Sequence, residues 1–193
     1  MAASKSVINV AALCGSLRSA SFNRGLIRSA MKLSKEAIEG MEIEYVDISP
    51  LSLLNTDLIV GGKFPPAVEA FRQQILKADG VLFATAENNF SVSAPLKNAL
   101  DWASIAPNAW ADKPAAIISA GGTFGGGLSQ LHLRQIGVYL DLHFVNKPHF
   151  NVNAFQPPPK FDSDGNLIDE ATMESLKQVL QALRTFTLRL QPK

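Results

Sequence analysis

Apolar positions along the chain switch between short unbroken runs and a three- to four-residue spacing, and each switch marks an element. Val7 to Leu13 is an apolar, partly β-branched run that stops at Gly15 and reads as a strand. From Asn23 onward Leu26, Ile27, Ala30, Met31, Leu33, Ala37 and Ile38 recur at helical steps, closing at Glu39-Gly40. Glu42 to Ile48 alternates as a strand does and ends at Ser49-Pro50. Residues 51–65, with Asn55, Asp57 and Gly61-Gly62, form an irregular connection to a helix running from Pro66 to about Ala78. Val81 to Thr85 and Ala115 to Ala120 are short apolar runs of the kind found in parallel strands covered on both faces, and His143 to Asn146 is a fifth strand. Helices are expected over Leu96 to about Ala103 and Leu128 to about Leu140. Residues 151–168, with Pro157-Pro158-Pro159 and Asp162-Ser-Asp-Gly165, read as a surface excursion. A closing helix, about Asp169 to Leu190, carries a stripe of Met173, Leu176, Val179, Leu180, Leu183, Phe186 and Leu190.

This alternation predicts an α/β three-layer sandwich with a five-stranded parallel sheet in the order 2-1-3-4-5. Ligands of such sheets bind outside the carboxyl ends of the strands, at the switch point between strands one and three. The loops that end there, 15–22, 86–94 and 120–127, are the ones that carry the Gly, Ser and Asn residues. In the first, Gly15 lets the backbone turn close to a ligand, Ser16, Ser19 and Ser21 offer hydroxyls, and the opening N–H groups of the next helix are free donors. That is an anion cradle suited to phosphate, although a plain turn with Ser21 as N-cap has the same sequence. Neither a Walker loop nor a G-x-G-x-x-G dinucleotide turn occurs.

Composition narrows the classes. With 193 residues and 47% apolar content, the chain can bury roughly 70% of its unfolded surface in one core, so a single domain over residues 1–193 is expected. Eighteen basic against seventeen acidic residues leave a net charge of +1, which offers nothing to nucleic acid or a charged membrane. The lone Cys14 excludes an internal disulfide and reads as a small buried strand-end residue; His132, His143 and His149 lack metal-ligand spacing. No apolar run approaches the roughly 18 residues of a membrane span and no signal pattern precedes the first strand, so a cytoplasmic protein is expected. Lys97 and Asp101 read as a helix-surface pair, and Trp102 and Trp110 as core residues or pocket walls.

On Gly15-Ser-Leu-Arg-Ser-Ala-Ser-Phe-Asn23, Asn89-Phe-Ser-Val-Ser-Ala-Pro-Leu-Lys-Asn-Ala-Leu-Asp-Trp-Ala-Ser104 and Gly121-Gly-Thr-Phe-Gly-Gly, the chain resembles the flavodoxin-like NAD(P)H-dependent FMN reductase and quinone reductase family, especially its plant-type and related bacterial quinone reductases. The resemblance spans about residues 7 to 150. It implies that Ser16, Arg18, Ser21, Phe22 and Asn23 hold the FMN phosphate. It further implies that Ala86, Glu87, Asn88, Asn89 and Phe90 border the isoalloxazine ring, with Ser119, Gly121 and Gly122 on its other edge. Ala86 and Asn88 stand where the family usually has proline and tyrosine, which removes an aromatic wall beside the flavin. The implied activity is ping-pong hydride transfer from NAD(P)H to FMN and two-electron reduction of a quinone or other small acceptor, in a homodimer or homotetramer. The rival readings are a flavodoxin-type electron carrier, which the near-zero charge disfavours, and a scaffold that has lost its flavin.

Overall fold

The computed structural model describes residues 7–191. In chain order its elements are β1 (Ile8–Cys14), α1 (Phe22–Ala37), β2 (Met41–Tyr45), α2 (Pro66–Lys77), β3 (Gly80–Ala84) and a hairpin of β4 (Glu87–Asn88) and β5 (Ser91–Val92). Then follow α3 (Ala94–Ser104), β6 (Lys113–Gly121), α4 (Gly127–Leu140), β7 (Leu142–Phe144), β8 (Asn151–Asn153) and α5 (Glu170–Leu190). The main sheet is parallel in the order β2-β1-β3-β6-β7, the flavodoxin-like order expected from the strand and helix alternation.

A sixth strand corrects the expected five. β6 pairs with β7 over Lys113 to Ala115 and with β3 over Ala115 to Ile118, so its last residues outrun both neighbours. β8 pairs there, with Ser119, Ala120 and Gly121 opposite Asn151, Val152 and Asn153. Unpaired backbone at that depth would leave donors and acceptors without partners, and three residues are too few to show as alternation in the sequence. The stretch after it is correspondingly no free excursion: Val152, Ala154, Phe161 and Leu167 are buried.

Strand alternation divides the core into two layers. Ile8, Val10, Ala12 and Cys14 of β1 face α1 and α5, whereas Ala11 and Leu13 face α2, α3 and α4. In α5, Leu176, Val179, Leu180 and Leu183 are buried as the stripe requires, but Leu190 is exposed and Thr187 is buried in the last turns. Thr187 fits because it packs over Gly80, which has no side chain, and its hydroxyl donates to the Leu183 carbonyl at 2.8 Å. Arg72 of α2 is buried with its guanidinium on the carbonyls of Trp102, Ala103, Ile105 and Pro107 at 2.7 to 3.1 Å. Those include carbonyls that the end of α3 leaves unpaired.

Candidate cofactor site

The strand-end loops meet because specific backbone contacts hold them. Gly15 N–H donates to the Ala84 carbonyl at 2.9 Å, and the Ser93 hydroxyl donates to the Gly15 carbonyl. A side chain at Gly15 would stand 2.9 Å from the Ala86 amide nitrogen, so only glycine lets the first loop lie against the second. The third loop is tied in by Asn23, whose carboxamide donates to the Ala120 carbonyl at 2.8 Å and accepts from the Ala120 N–H at 2.9 Å.

The first loop delivers an anion-receptive helix end. Ser21 is the N-cap of α1 and its hydroxyl accepts from Arg24 N–H at 3.4 Å. The N–H groups of Phe22 and Asn23 make no hydrogen bond within the described residues, and the first turn carries no acidic side chain. Arg18 sits beside them, its guanidinium 5.5 Å from the centroid of the Phe22 ring. Free donors, the positive end of the helix and a guanidinium thus converge.

A cavity of about 260 Å³ opens at this junction. The first loop lines it with Ser16, Arg18, Ser21, Phe22 and Asn23, the second with Ala86 and Glu87, and the third with Gly121 and Gly122. Phe155 also lines it, a residue the sequence reading missed because an exposed aromatic beside a proline run has no periodic signal. A larger groove of about 720 Å³ lies elsewhere, along the N-terminal half of β1, with Lys35, Glu42, Glu44 and Lys77 on its walls. Its mixed charges do not form an anion cradle.

Ser119, Asn88, Asn89 and Phe90 lie outside the lining of this cavity. Ser119 is fully buried: its hydroxyl donates to the Gly125 carbonyl at 2.7 Å and accepts from Gln130 Nε2 at 2.7 Å, supporting the glycine loop from beneath. Asn88 and Asn89 line a neighbouring cavity of about 550 Å³ together with Lys97 and His132. Asn89 and Phe90 turn the β4–β5 hairpin with φ of 51° and 63°, the positive values that a two-residue hairpin turn demands. Phe90 is 60% exposed and meets Phe124 of the glycine loop edge-on, with ring centroids 6.0 Å apart. Glu87 lines the cavity with its carboxylate already engaged, accepting from Leu128 N–H at 2.9 Å and Ser129 N–H at 3.0 Å.

Other candidates resolve into structural roles. Burial pushes the Cys14 thiol above its ordinary pKa, which keeps it protonated and unreactive. Trp102 and Trp110 are buried in the core, donating to the carbonyls of Ser52 and Leu100. Lys97 and Asp101 form the expected helix-surface pair at 2.8 Å. The donor set fits a phosphate monoester, and Gly122, with no atom within 4 Å of an added side chain, leaves the rim open for a flat ring. FMN therefore fits the residues present.

Residues 8–157 match the family described as NADPH-dependent FMN reductase. An NADPH:quinone oxidoreductase of Arabidopsis thaliana is 70% identical over 189 residues, covering 98% of this chain and 96% of that protein. An NAD(P)H-dependent FMN reductase of Pseudomonas aeruginosa is 46% identical over 185 residues, covering 95% and 97%. Among solved structures, a flavoenzyme NAD(P)H:(acceptor) oxidoreductase from Paracoccus denitrificans superposes with a TM-score of 0.82 at 29% identity, over 95% of this chain and 98% of that one.

Proposed function

The chain belongs to the NADPH-dependent FMN reductase family, and from that premise we propose that it holds FMN, oxidises NAD(P)H and passes two electrons to a quinone or similar small acceptor. The observation that carries this reading is the convergence of the loops after β1, β3 and β6 on one anion-receptive cavity. Ser16, Arg18, Ser21 and the opening amides of α1 would hold the phosphate; the backbone at Ala86, Gly121 and Gly122 would border the ring. Bound FMN supplies the hydride-accepting and electron-delivering chemistry.

The protein's own part is to bind and orient. Arg18 and Glu87 are the ionisable side chains lining the cavity, and Glu87 is committed to the N-terminus of α4. Fixed backbone N–H groups of the hairpin and the glycine loop would therefore favour negative charge at the ring edge, at little reorganisation cost. Donor and acceptor would take turns at the open side of the cavity, which gives a ping-pong order.

The test is reconstitution with FMN, followed by anaerobic addition of NADPH and two-substrate kinetics with a quinone. A retained yellow spectrum, bleaching by NADPH alone and parallel reciprocal plots are expected, and Arg18→Ala should weaken FMN binding by about tenfold. A protein that retains no FMN, or plots that intersect, would overturn the reading. Bleaching by NADPH also separates this activity from that of an electron carrier, which the net charge of +1 does not suit.

The proposal extends to a single-domain homodimer or homotetramer of the cytoplasm. Supporting assembly, Leu131, Val138 and Tyr139 of α4 are 62%, 82% and 87% exposed. Among the described residues no helix is long and apolar enough to cross a membrane.

A further inference from the structure

We propose that the turn at residues 162–166 braces the phosphate-binding end of α1, making Gly165, Arg28 and Asn166 positioning residues for FMN although none of them lines the cavity. The inference rests on the FMN reading above. The turn lies beyond residue 157, where the family match ends.

The contacts are directed at the junction of loop and helix. Gly165 has φ of 77° and packs on the backbone of Ala20 and Ser21; a side chain there would stand 2.6 Å from the Ala20 carbonyl oxygen and 3.1 Å from that of Ser21. From the helix side, a side chain on Gly25 would overlap the Gly165 carbonyl, so two glycines permit the approach. Arg28, one turn further along α1, grips the same turn: its Nε donates to Asn166 Oδ1 at 2.8 Å and its Nη2 to the Asp164 carbonyl at 3.2 Å. Phe161, just before the turn, stacks on Phe22 with centroids 4.6 Å apart, and Phe155 meets the same ring edge-on at 5.8 Å. The turn is itself stiff. Asp162 accepts from the N–H groups of Asp164 and Asn166 at 2.9 and 2.8 Å and from Asn166 Nδ2 at 2.9 Å.

The loop it touches is tethered at Gly15 to the second loop and at Ser21 to the start of α1, and its middle is exposed. Residues 17–19 are exposed, and the bonds within that stretch are Ser21 N–H to the Arg18 carbonyl at 3.2 Å and Arg18 N–H to the Ser16 hydroxyl at 3.4 Å. Asn23 fixes α1 to β6 on one side, while the turn fixes residues 20–22 on the other. Hydrogen bonds to a phosphate depend on the donors standing within a few tenths of an ångström of the ligand, so loosening one support should weaken phosphate binding before anything else.

The experiment compares FMN with riboflavin, which lacks the phosphate, in the wild-type protein and in Gly165→Ala, Arg28→Ala and Arg28→Lys. Gly165→Ala should raise the FMN dissociation constant on the order of tenfold while leaving that of riboflavin within about twofold. Arg28→Ala should act in the same direction, and Arg28→Lys, which keeps the charge but offers a single donor nitrogen in place of two, should fall between it and wild type. Hydrogen exchange on the cofactor-free protein gives a second readout: amides of residues 16–24 should exchange faster in Gly165→Ala, with those of residues 176–183 unchanged. Equal weakening of FMN and riboflavin, or unaltered exchange at residues 16–24, would overturn the brace. A wild-type protein that binds no FMN would instead sink the proposed function, and the exchange comparison would still decide whether the turn holds the loop.

Discussion

Asn23 is 5% exposed, and its carboxamide answers both backbone groups of Ala120 across 97 positions of sequence. Alanine at this position would leave a buried N–H and a buried carbonyl unpaired. With about 1–3 kcal/mol at stake for such a group, Asn23→Ala should lower the unfolding free energy by about 2–4 kcal/mol in urea denaturation. Asn23→Asp should do nearly as badly, because a carboxylate accepts from the Ala120 N–H but offers the carbonyl nothing; an unchanged midpoint in either variant would refute this account. Asn23, which the family resemblance places among the phosphate-holding residues, lines the cavity, and its carboxamide is taken up by Ala120. Nothing local to residue 23 marks a partner at residue 120, and Ser119 was equally opaque, since its two hydrogen bonds end on Gly125 and Gln130. Residue type and loop position were legible; which atoms remain free for a ligand depends on the assembled neighbours.

Glu87 shows how one element borrows its end from another. α4 begins after Gly126, which has φ of 84° and no side chain to cap the helix, so the Leu128 and Ser129 amides take the Glu87 carboxylate of β4 instead. This places negative charge at the positive end of the helix and pins the hairpin to it. Removing the carboxylate in Glu87→Ala should cost about 1–2 kcal/mol of stability, seen as a lower melting temperature, whereas Glu87→Gln retains an acceptor and should lose less than half as much. Equal melting temperatures for the alanine variant and wild type would remove the cap from the account. At this scale the long helices and the apolar strands were readable because their periodicity persists over many residues. The β4–β5 hairpin and β8 were not, as strands of two or three residues have no period to recognise. β8 exists because β6 outruns β3 and β7, a fact of assembly that no window of sequence contains.

Across the whole molecule, sheet order followed from the alternation of strands and helices, but the ionisable groups whose pKa values shift become visible only once burial and hydrogen bonds are known. Side-chain and backbone bonds from Asn166 hold the Asp162 carboxyl below the usual range, and those from Thr172 do the same for Asp169, the N-cap of α5. A depressed carboxylate favours folding fully above its ordinary value near 3.9, and that contribution disappears as pH falls through the lower folded value. Burial acts oppositely on acids that stay neutral: it raises the Cys14 thiol and pushes the Tyr45 phenol up to about 12. Each of these favours folding fully below its ordinary value, about 8.5 and 10, and is lost as pH rises through the folded value. Denaturation midpoints should therefore be level between about pH 5 and 8, decline below about 4 and decline again above about 9. Cys14→Ala should flatten the early part of the alkaline decline and Tyr45→Phe the later part, whatever each does to the plateau. An alkaline limb of the same shape in both variants would mean that neither Cys14 nor Tyr45 governs it.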